Sequence, residues 1–394
     1  MKDFVFCSPT AFVFGRDTEQ QTGSYAKKFG RTKALIHYGG RSAQASGLLD
    51  RVKASLDGAG VAWVELGGVQ PNPRASLVYK GIELARQEKV DLILAVGGGS
   101  AIDSAKAIAA GIPYIGDFWD FYEGKAQVKD PVPVAVVLTI PAAGSEGSPG
   151  SVITKEEGWL KRAVNDESLR PLFSILNPEL TFTLPPYQTA CGAADIMSHV
   201  FERYLTNTTD VEFSDRLCES VLKTMVQDVP RVLKKPDDYG PRSNIMWAGM
   251  VAHNDIVGVD REQDWSSHDI EHELSALYDV AHGAGLAVVF PAFMRYTMKH
   301  DVMRYAQLAV RVWGVEMDYQ NPERTAAEGI NRLIAFYRSI GLPTTFEELG
   351  AKAEDIPLMA KKLNLVNGRK LGSFNPLETA DVEAIFRLSM AGAN

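Results

Sequence analysis

The sequence predicts an α/β fold in which a parallel-sheet domain is followed by an all-helical C-terminal domain, and three observations predict it. Short β-branched runs alternate with amphipathic stretches through the first third, as crossover units of a parallel sheet do. Strand signals nearly vanish beyond Thr183-Leu184-Pro185-Pro186, where helix formers recur with a period near 3.6. Finally, 394 residues exceed what one hydrophobic core usually supports. The double proline divides the chain into residues 1–185 and 186–394.

Each element follows from its local pattern. Phe4/Phe6 and Ala11–Phe14 flank Ser8-Pro9-Thr10 and read as two short strands about a turn. Ala34–Tyr38, Val61–Leu66, Asp91–Val96 and Val134–Leu138 are apolar and short, as buried strands are. Between them, Leu48–Ala59 and Leu77–Glu88 repeat apolar side chains at helical spacing, with Lys and Arg on the other face. In the second half, helical periodicity covers Ala190–Tyr204, Asp210–Gln227, Ser243–His253, Val302–Val312 and Pro322–Ile340.

Composition narrows the function. Apolar residues make up 45% and charged residues 23%, an ordinary globular balance. The net charge of -8 speaks against a nucleic-acid-binding surface. No apolar run reaches the roughly 18 residues that span a bilayer, so no membrane partner is expected. The opening shows no hydrophobic signal core, and Cys7, Cys191 and Cys218 are far apart, so a reducing cytoplasm is expected.

Four loops follow four of the expected strands. Gly97-Gly98-Gly99-Ser100 leads from a strand into the helix Ala101–Ala110, where free amides and the helix dipole suit a phosphate. Ile102 stands where a dinucleotide fingerprint needs glycine, and a plain strand-to-helix turn reads the same way. Tyr38-Gly39-Gly40-Arg41-Ser42 contains no carboxylate that would grip ribose hydroxyls. If a dinucleotide binds, Arg41 and Ser42 favour NADP(H) over NAD(H). Asn72 lies between two prolines, and Thr139-Ile140-Pro141 ends the last strand. Ligands collect at such carboxyl ends, so four loops together weigh more than any one.

Six of the seven histidines lie beyond residue 198. Asp195 and His199 form an i,i+4 pair on one helix face, His268 and His272 another, and His282-Gly283-Ala284-Gly285 follows. An aspartate with three imidazoles is a sound ligand set for Fe²⁺ or Zn²⁺. His268-x-x-Glu271-His272 also matches the pattern of inverted zinc peptidases, with Glu271 as general base. That reading explains neither the glycine loops nor the parallel sheet.

Together these motifs resemble the iron-containing (group III) alcohol dehydrogenase family over almost the whole chain. The resemblance is carried by Phe4-x-Phe6…Pro9-Thr10…Phe14-Gly15, by Gly97-Gly98-Gly99-Ser100-Ala101-Ile102-Asp103-Ser104-Ala105-Lys106, by Gly144-Ser145-Glu146, and by Asp195…His199…His268…His282-Gly283. Tyr38-Gly39-Gly40-x-Ser42 is similar to the NADPH-preferring aldehyde reductase and butanol dehydrogenase branch. The resemblance implies a Rossmann-like N-terminal domain in a dehydroquinate-synthase-like architecture. It implies that Asp195, His199, His268 and His282 hold one divalent metal ion, Fe²⁺ or Zn²⁺. Gly39, Gly40, Arg41 and Ser42 would meet the adenosine ribose phosphate of NADP(H). Asn72, Gly98, Gly99 and Ser100 would surround the pyrophosphate, with Asp103 towards the nicotinamide and Thr139 and Lys161 touching the coenzyme. His272 would relay a proton.

The common Gly-Thr-Gly-Ser-Glu turn reads Ala142-Ala143-Gly144-Ser145-Glu146 here, which removes one hydroxyl donor. The expected reaction is hydride exchange between NADP(H) and an aldehyde or primary alcohol, in a homodimer. A glycerol-type dehydrogenase and a dehydroquinate-synthase-like lyase share the architecture. The lyase would need a basic cluster that residues 240–300 do not show. Trp119, Phe121 and Trp265 are candidates for pocket walls or for core aromatics.

Overall fold

Apolar runs bounded by charged residues or glycine form the parallel strands of the N-terminal half. The computed structural model describes residues 1–40, 42–365 and 369–390, with nothing to be said of the Ser42 side chain; Arg41 lies outside the described residues. The chain divides into two compact units. One comprises Cys7–Leu184 with Asp237–Met246; the other comprises Met1–Phe6, Pro185–Pro236 and the chain from Trp247 onward.

The α/β unit contains β1 (Ala11–Phe14), α1 (Thr22–Lys28), β2 (Lys33–Tyr38), α2 (Ser42–Ala45), α3 (Leu48–Gly58) and β3 (Ala62–Leu66). It continues with α4 (Ala75–Glu88), β4 (Leu92–Gly97), α5 (Gly99–Gly111), α6 (Trp119–Tyr122) and β5 (Val134–Leu138). It ends on a hairpin of β6 (Gly150–Lys155) and β7 (Leu160–Asn165), then β8 (Phe173–Leu176). Among the described residues one six-stranded sheet runs β1-β8-β5-β4-β2-β3, every pair parallel. Successive residues serve opposite faces. Leu35, Ile93, Ala95 and Val136 pack under α4 and α5, whereas Ala34, Ile36, Leu94 and Val137 pack under α3. Burial on both faces is why these strands read as unbroken apolar runs.

The chain order reverses between β2 and β4, so the loops after these two strands flank the switch point where open α/β sheets take ligands.

Two local readings change, and one open choice is decided. The expected N-terminal strand pair is one strand: β1 pairs with β8, while Phe4–Phe6 make no ladder. That segment belongs to the helical unit, where the Lys2 amide donates to the Asp260 carbonyl at 2.8 Å. The β6–β7 hairpin and β8 carry weak strand signals, because half of β7 is polar and β8 has only four residues. Trp119 and Phe121 are core aromatics beneath α4 and α5, so they wall no pocket.

The second unit is built from α7 (Pro186–Tyr204), α8 (Glu212–Lys234), α9 (Tyr239–His253, which starts in the α/β unit), α10 (Ser266–Tyr278) and α11 (His282–Thr297). It continues with α12 (Val302–Trp313), α13 (Pro322–Ser339), α14 (Phe346–Leu349), α15 (Ile356–Lys362) and α16 (Thr379–Met390). Pro186 stands in the first turn of α7, where no amide donor is missed. From Thr189 to Tyr204 every residue of α7 is buried, which makes it the central helix of the unit. No helix among the described residues is long and apolar enough to cross a membrane.

Candidate active site

At the sheet's switch point, Gly98 caps α5 in an extended conformation, so the amides of Gly99 and Ser100 occupy first-turn positions without intrahelical acceptors. The Thr139 amide donates to the Gly97 carbonyl at 2.9 Å, joining the loops after β4 and β5. Beside β2, the Gly39 carbonyl accepts from Gly68 at 3.0 Å; Gly40 follows, and Ser42 opens α2. Asn72 is buried with a left-handed backbone, φ 52°. Lys161 on β7 donates to the Asn72 side-chain oxygen at 3.1 Å, so two residues 89 positions apart form one buried polar pair.

Asp103 is committed to protein partners. Its carboxylate accepts from Ser145 Oγ at 2.6 Å and from the Val152 amide at 3.1 Å. Burial raises its pKa, against the pull of Lys106. Lys106 Nζ, wholly buried, reaches the Ser145 and Ser148 carbonyls, Ser145 Oγ and the Gly150 carbonyl at 2.8–2.9 Å. Burial pulls its pKa down to about 8. This aspartate and lysine, one turn apart on α5, therefore clamp the segment 144–152. Lys106 stood in the quoted motif without a role; its spacing from Asp103 was the available signal.

In the helical unit, α7 presents Asp195, His199 and Glu202 at i, i+4 and i+7, one face of the helix. The first turn of α10 brings His268, followed by Glu271 and His272, and α11 opens on His282. Glycine makes the last placement possible. A Cβ at Gly283 would lie 2.0 Å from the Cys191 carbonyl oxygen, so only glycine lets α11 begin against α7 here.

Asp195 Oδ1 is the focus. It lies 3.3 Å from His199 Nε2, 3.6 Å from His268 Nε2 and 3.8 Å from His282 Nε2. Buried and without a hydrogen-bond partner, it has given up water for no direct donor. Donor atoms about 2.0–2.1 Å from a shared cation, tetrahedrally arranged, stand roughly 3.3–3.4 Å apart. The three separations from Asp195 Oδ1 lie within about half an ångström of that spacing. Asp195, His268 and His282 bring their donor atoms within 4.8 Å of one another; His199 joins through Asp195 and groups also with Glu202 and His268. One hard oxygen and imidazole nitrogens form a donor set that suits Fe²⁺ or Zn²⁺.

The rings are packed in order. His253, His199 and His268 stack, with centroids 4.0 and 4.5 Å apart and planes within 20°. Trp265 stands edge-on to all three, so of the three proposed wall residues it alone borders this cluster. His272 is buried beside His282 and His268, at 5.5 and 6.2 Å between centroids. Burial, then the charges of His253 and His268, hold the His199 pKa well below its ordinary value. Burial also opposes charge on His268, but the carboxylates of Glu202 and Asp195 outweigh it and raise the pKa to about 10. Glu202 stands 2.7 Å from His268 Nδ1, and Glu271 contacts His282 Nδ1. Their repeated His-x-x-Glu spacing was the sequence signal for both.

Comparison with known proteins finds sequence similar to both units together in other chains. Residues 9–178 match the family model described as iron-containing alcohol dehydrogenase, and residues 189–390 match its C-terminal counterpart. The chain is 40% identical over 390 residues to NADH-dependent butanol dehydrogenase A of Clostridium acetobutylicum, covering 99% of this chain and all of that one. It is 35% identical over 388 residues to the NADPH-dependent aldehyde reductase YqhD of Escherichia coli, covering 97% and 98%. The crystal structure of NADH-dependent butanol dehydrogenase A from Thermotoga maritima superposes with a TM-score of 0.96 at 40% identity, covering 99% of each chain.

Proposed function

This chain belongs to the iron-containing alcohol dehydrogenase family, and we propose that it reduces short aldehydes to primary alcohols, and the reverse, with NADP(H) and one divalent ion, Fe²⁺ or Zn²⁺. Nicotinamide-dependent oxidoreduction between aldehyde and alcohol is the activity that accompanies the membership. The observation that carries the metal reading is the convergence of three imidazole Nε2 atoms on the unpaired Oδ1 of Asp195.

In this reading Asp195, His199, His268 and His282 hold the ion. When bound, the ion supplies Lewis-acid polarisation of a carbonyl, and the nicotinamide supplies hydride. The chain's own residues bind and position. The first turn of α5, with Gly98, Gly99 and Ser100, receives pyrophosphate oxygens on its amides. Lys161 adds a positive charge beside Asn72. Gly39 and Gly40 leave room for the adenosine ribose, and Thr139 keeps the two glycine-bearing loops in register. Asp103, with Lys106, holds Ser145 and the 144–152 segment in place beside them. His272, buried next to His268 and His282, carries the proton exchanged with the substrate oxygen.

The preference for NADP(H) rests on the loop sequence: Arg41 and Ser42 suit a 2′-phosphate, and no carboxylate is present to favour a free ribose hydroxyl. The names of similar proteins include both coenzymes, so this is a point for measurement. A homodimer in the cytoplasm completes the reading. Exposed Phe4, Val5 and Phe6 and the edge position of β1 suit a second copy, and three unpaired cysteines suit a reducing compartment. Light scattering reports the oligomer directly.

The deciding experiment follows oxidation of NADPH and of NADH with a panel of short aldehydes, before chelation, after it, and after adding back Fe²⁺ or Zn²⁺. Turnover lost on chelation, restored by the ion and greater with NADPH is expected. Turnover indifferent to chelation overturns the metal role, and faster NADH oxidation overturns the coenzyme assignment.

A further inference from the structure

The metal ligands lie on three helices, and the spacing His-x-x-Glu occurs on two of them, as His199-x-x-Glu202 on α7 and His268-x-x-Glu271 on α10. Neither glutamate chiefly serves the histidine of its own motif. Glu202 Oε2 is 3.9 Å from His199 Nδ1 but 2.7 Å from His268 Nδ1 on the neighbouring helix. Glu271 in turn reaches Nδ1 of His282 on α11.

We infer that Glu271 and Glu202 are positioning residues for the metal centre: Glu271 fixes the His282 ring by a hydrogen bond at Nδ1, and Glu202 holds His268 by a charge contact at Nδ1, so that Nε2 of each ring faces Asp195. The inference rests on the metal reading above and adds the two groups that orient its ligands. A neutral imidazole carries one proton, and the nitrogen without it is the donor to a cation. A carboxylate at Nδ1 holds the proton there and leaves the Nε2 lone pair for the ion. With the other tautomer, an N–H would point at the buried Asp195 oxygen, and the site would close on a hydrogen bond instead of an ion.

Each carboxylate is itself held in place. Ser267 Oγ at 2.5 Å and the His268 amide at 3.2 Å both donate to Glu202 Oε1, which leaves Oε2 for the ring. Glu271 lies where α11 has no side chain: a Cβ at Gly285 would come within 2.3 Å of Glu271 Oε1. The second glycine of His282-Gly283-Ala284-Gly285 thereby makes room for the carboxylate that orients the histidine. This geometry also gives the His-x-x-Glu-His sequence a meaning other than the peptidase one, because the Glu271 carboxylate is engaged by a ring on the far side from Asp195.

The test measures Zn²⁺ affinity of the full chain, stripped of metal, by competition with a chromophoric chelator, with thermal unfolding of each metal-free variant as a check on folding. Glu271→Ala and Glu202→Ala are expected to weaken Zn²⁺ binding about 10- to 100-fold. Glu271→Gln, whose amide oxygen still accepts from Nδ1–H, should lose less. Gly285→Ala, which keeps the carboxylate but displaces it, should lose affinity as Glu271→Ala does. Wild-type affinity in folded Glu271→Ala and Gly285→Ala overturns the inference while the metal reading stands. Failure of the wild-type chain to bind Zn²⁺ or Fe²⁺ overturns both.

Discussion

Asp215 and Asp195 are both buried aspartates of the helical unit, yet their surroundings differ in kind. Asp215 accepts from Arg261 at 2.7 Å, from two nitrogens of Arg304 at 2.5 and 2.6 Å, and from Gln307 at 3.0 Å. Arg261 is completed by Asp260 and by the Arg203 and Val211 carbonyls. Every charge in that cluster meets its complement, and although burial raises the Asp215 pKa, Arg304 and Arg261 pull it below the usual carboxylate value. Asp195 instead faces three nitrogens at distances suited to sharing an ion, and its Oδ1 has no hydrogen-bond partner. A closed cluster serves the fold; a convergent one with an unpaired atom points to a ligand. Burial alone would not have separated them.

The largest effect that would break this comparison is on stability. Asp215→Ala takes the shared carboxylate from buried Arg261 and half-buried Arg304, so unfolding free energy should fall by about 3 kcal/mol and the melting temperature by on the order of 10 °C. Zn²⁺ affinity of the folded variant should not change. Equal loss of metal binding would show that the two clusters act as one.

A second effect uses a closed histidine in the α/β unit. His37 has both nitrogens engaged, by the Leu66 carbonyl and Ser104 Oγ at 2.8 Å each, and burial lowers its pKa to about 4. The folded state therefore binds a proton less readily than the unfolded chain, whose value is about 6.5. The stability this confers is complete above pH 6.5 and is lost as pH falls towards 4, about 3 kcal/mol across that window. Urea unfolding at a series of pH values should show this slope in the wild type and a flatter one in His37→Gln. The same slope in both would remove His37 as its cause.

The smallest effect tests the open cluster alone. Zn²⁺ at about 100 times its dissociation constant should stabilise the wild type by about 2.7 kcal/mol and should leave Asp195→Ala unmoved. Scanning calorimetry with and without the ion measures it. Stabilisation of the variant would place the ion elsewhere.

Much of this was legible along the chain. β2, β4 and β5 were read from their apolar runs and α7 from its period, because patterns of two and 3.6 residues are local. The i,i+4 spacing singled out Asp195 with His199 and His268 with His272, and the family resemblance selected Asp195, His199, His268 and His282 as the ligand set. Other features were not legible for reasons of distance. Phe4–Phe6 looked like a strand, but a strand exists only with a partner, and β1 took β8. The motif around Asp103 did not show that its carboxylate also accepts from Ser145 and Val152, over forty positions away.

By itself, the sequence determined the alternation of strands and helices, the change of texture at the double proline, and the chemical identity of the candidate ligands. The tertiary structure alone decided that Nε2 of His268 and of His282 faces Asp195 while a glutamate of another helix stands at Nδ1. Glu202 and His268 are 66 positions apart, and no local period reaches so far. Ring orientation is set by packing and charge in three dimensions, and there Gly283 lets α11 approach α7 at Cys191 and Gly285 leaves room for the Glu271 carboxylate.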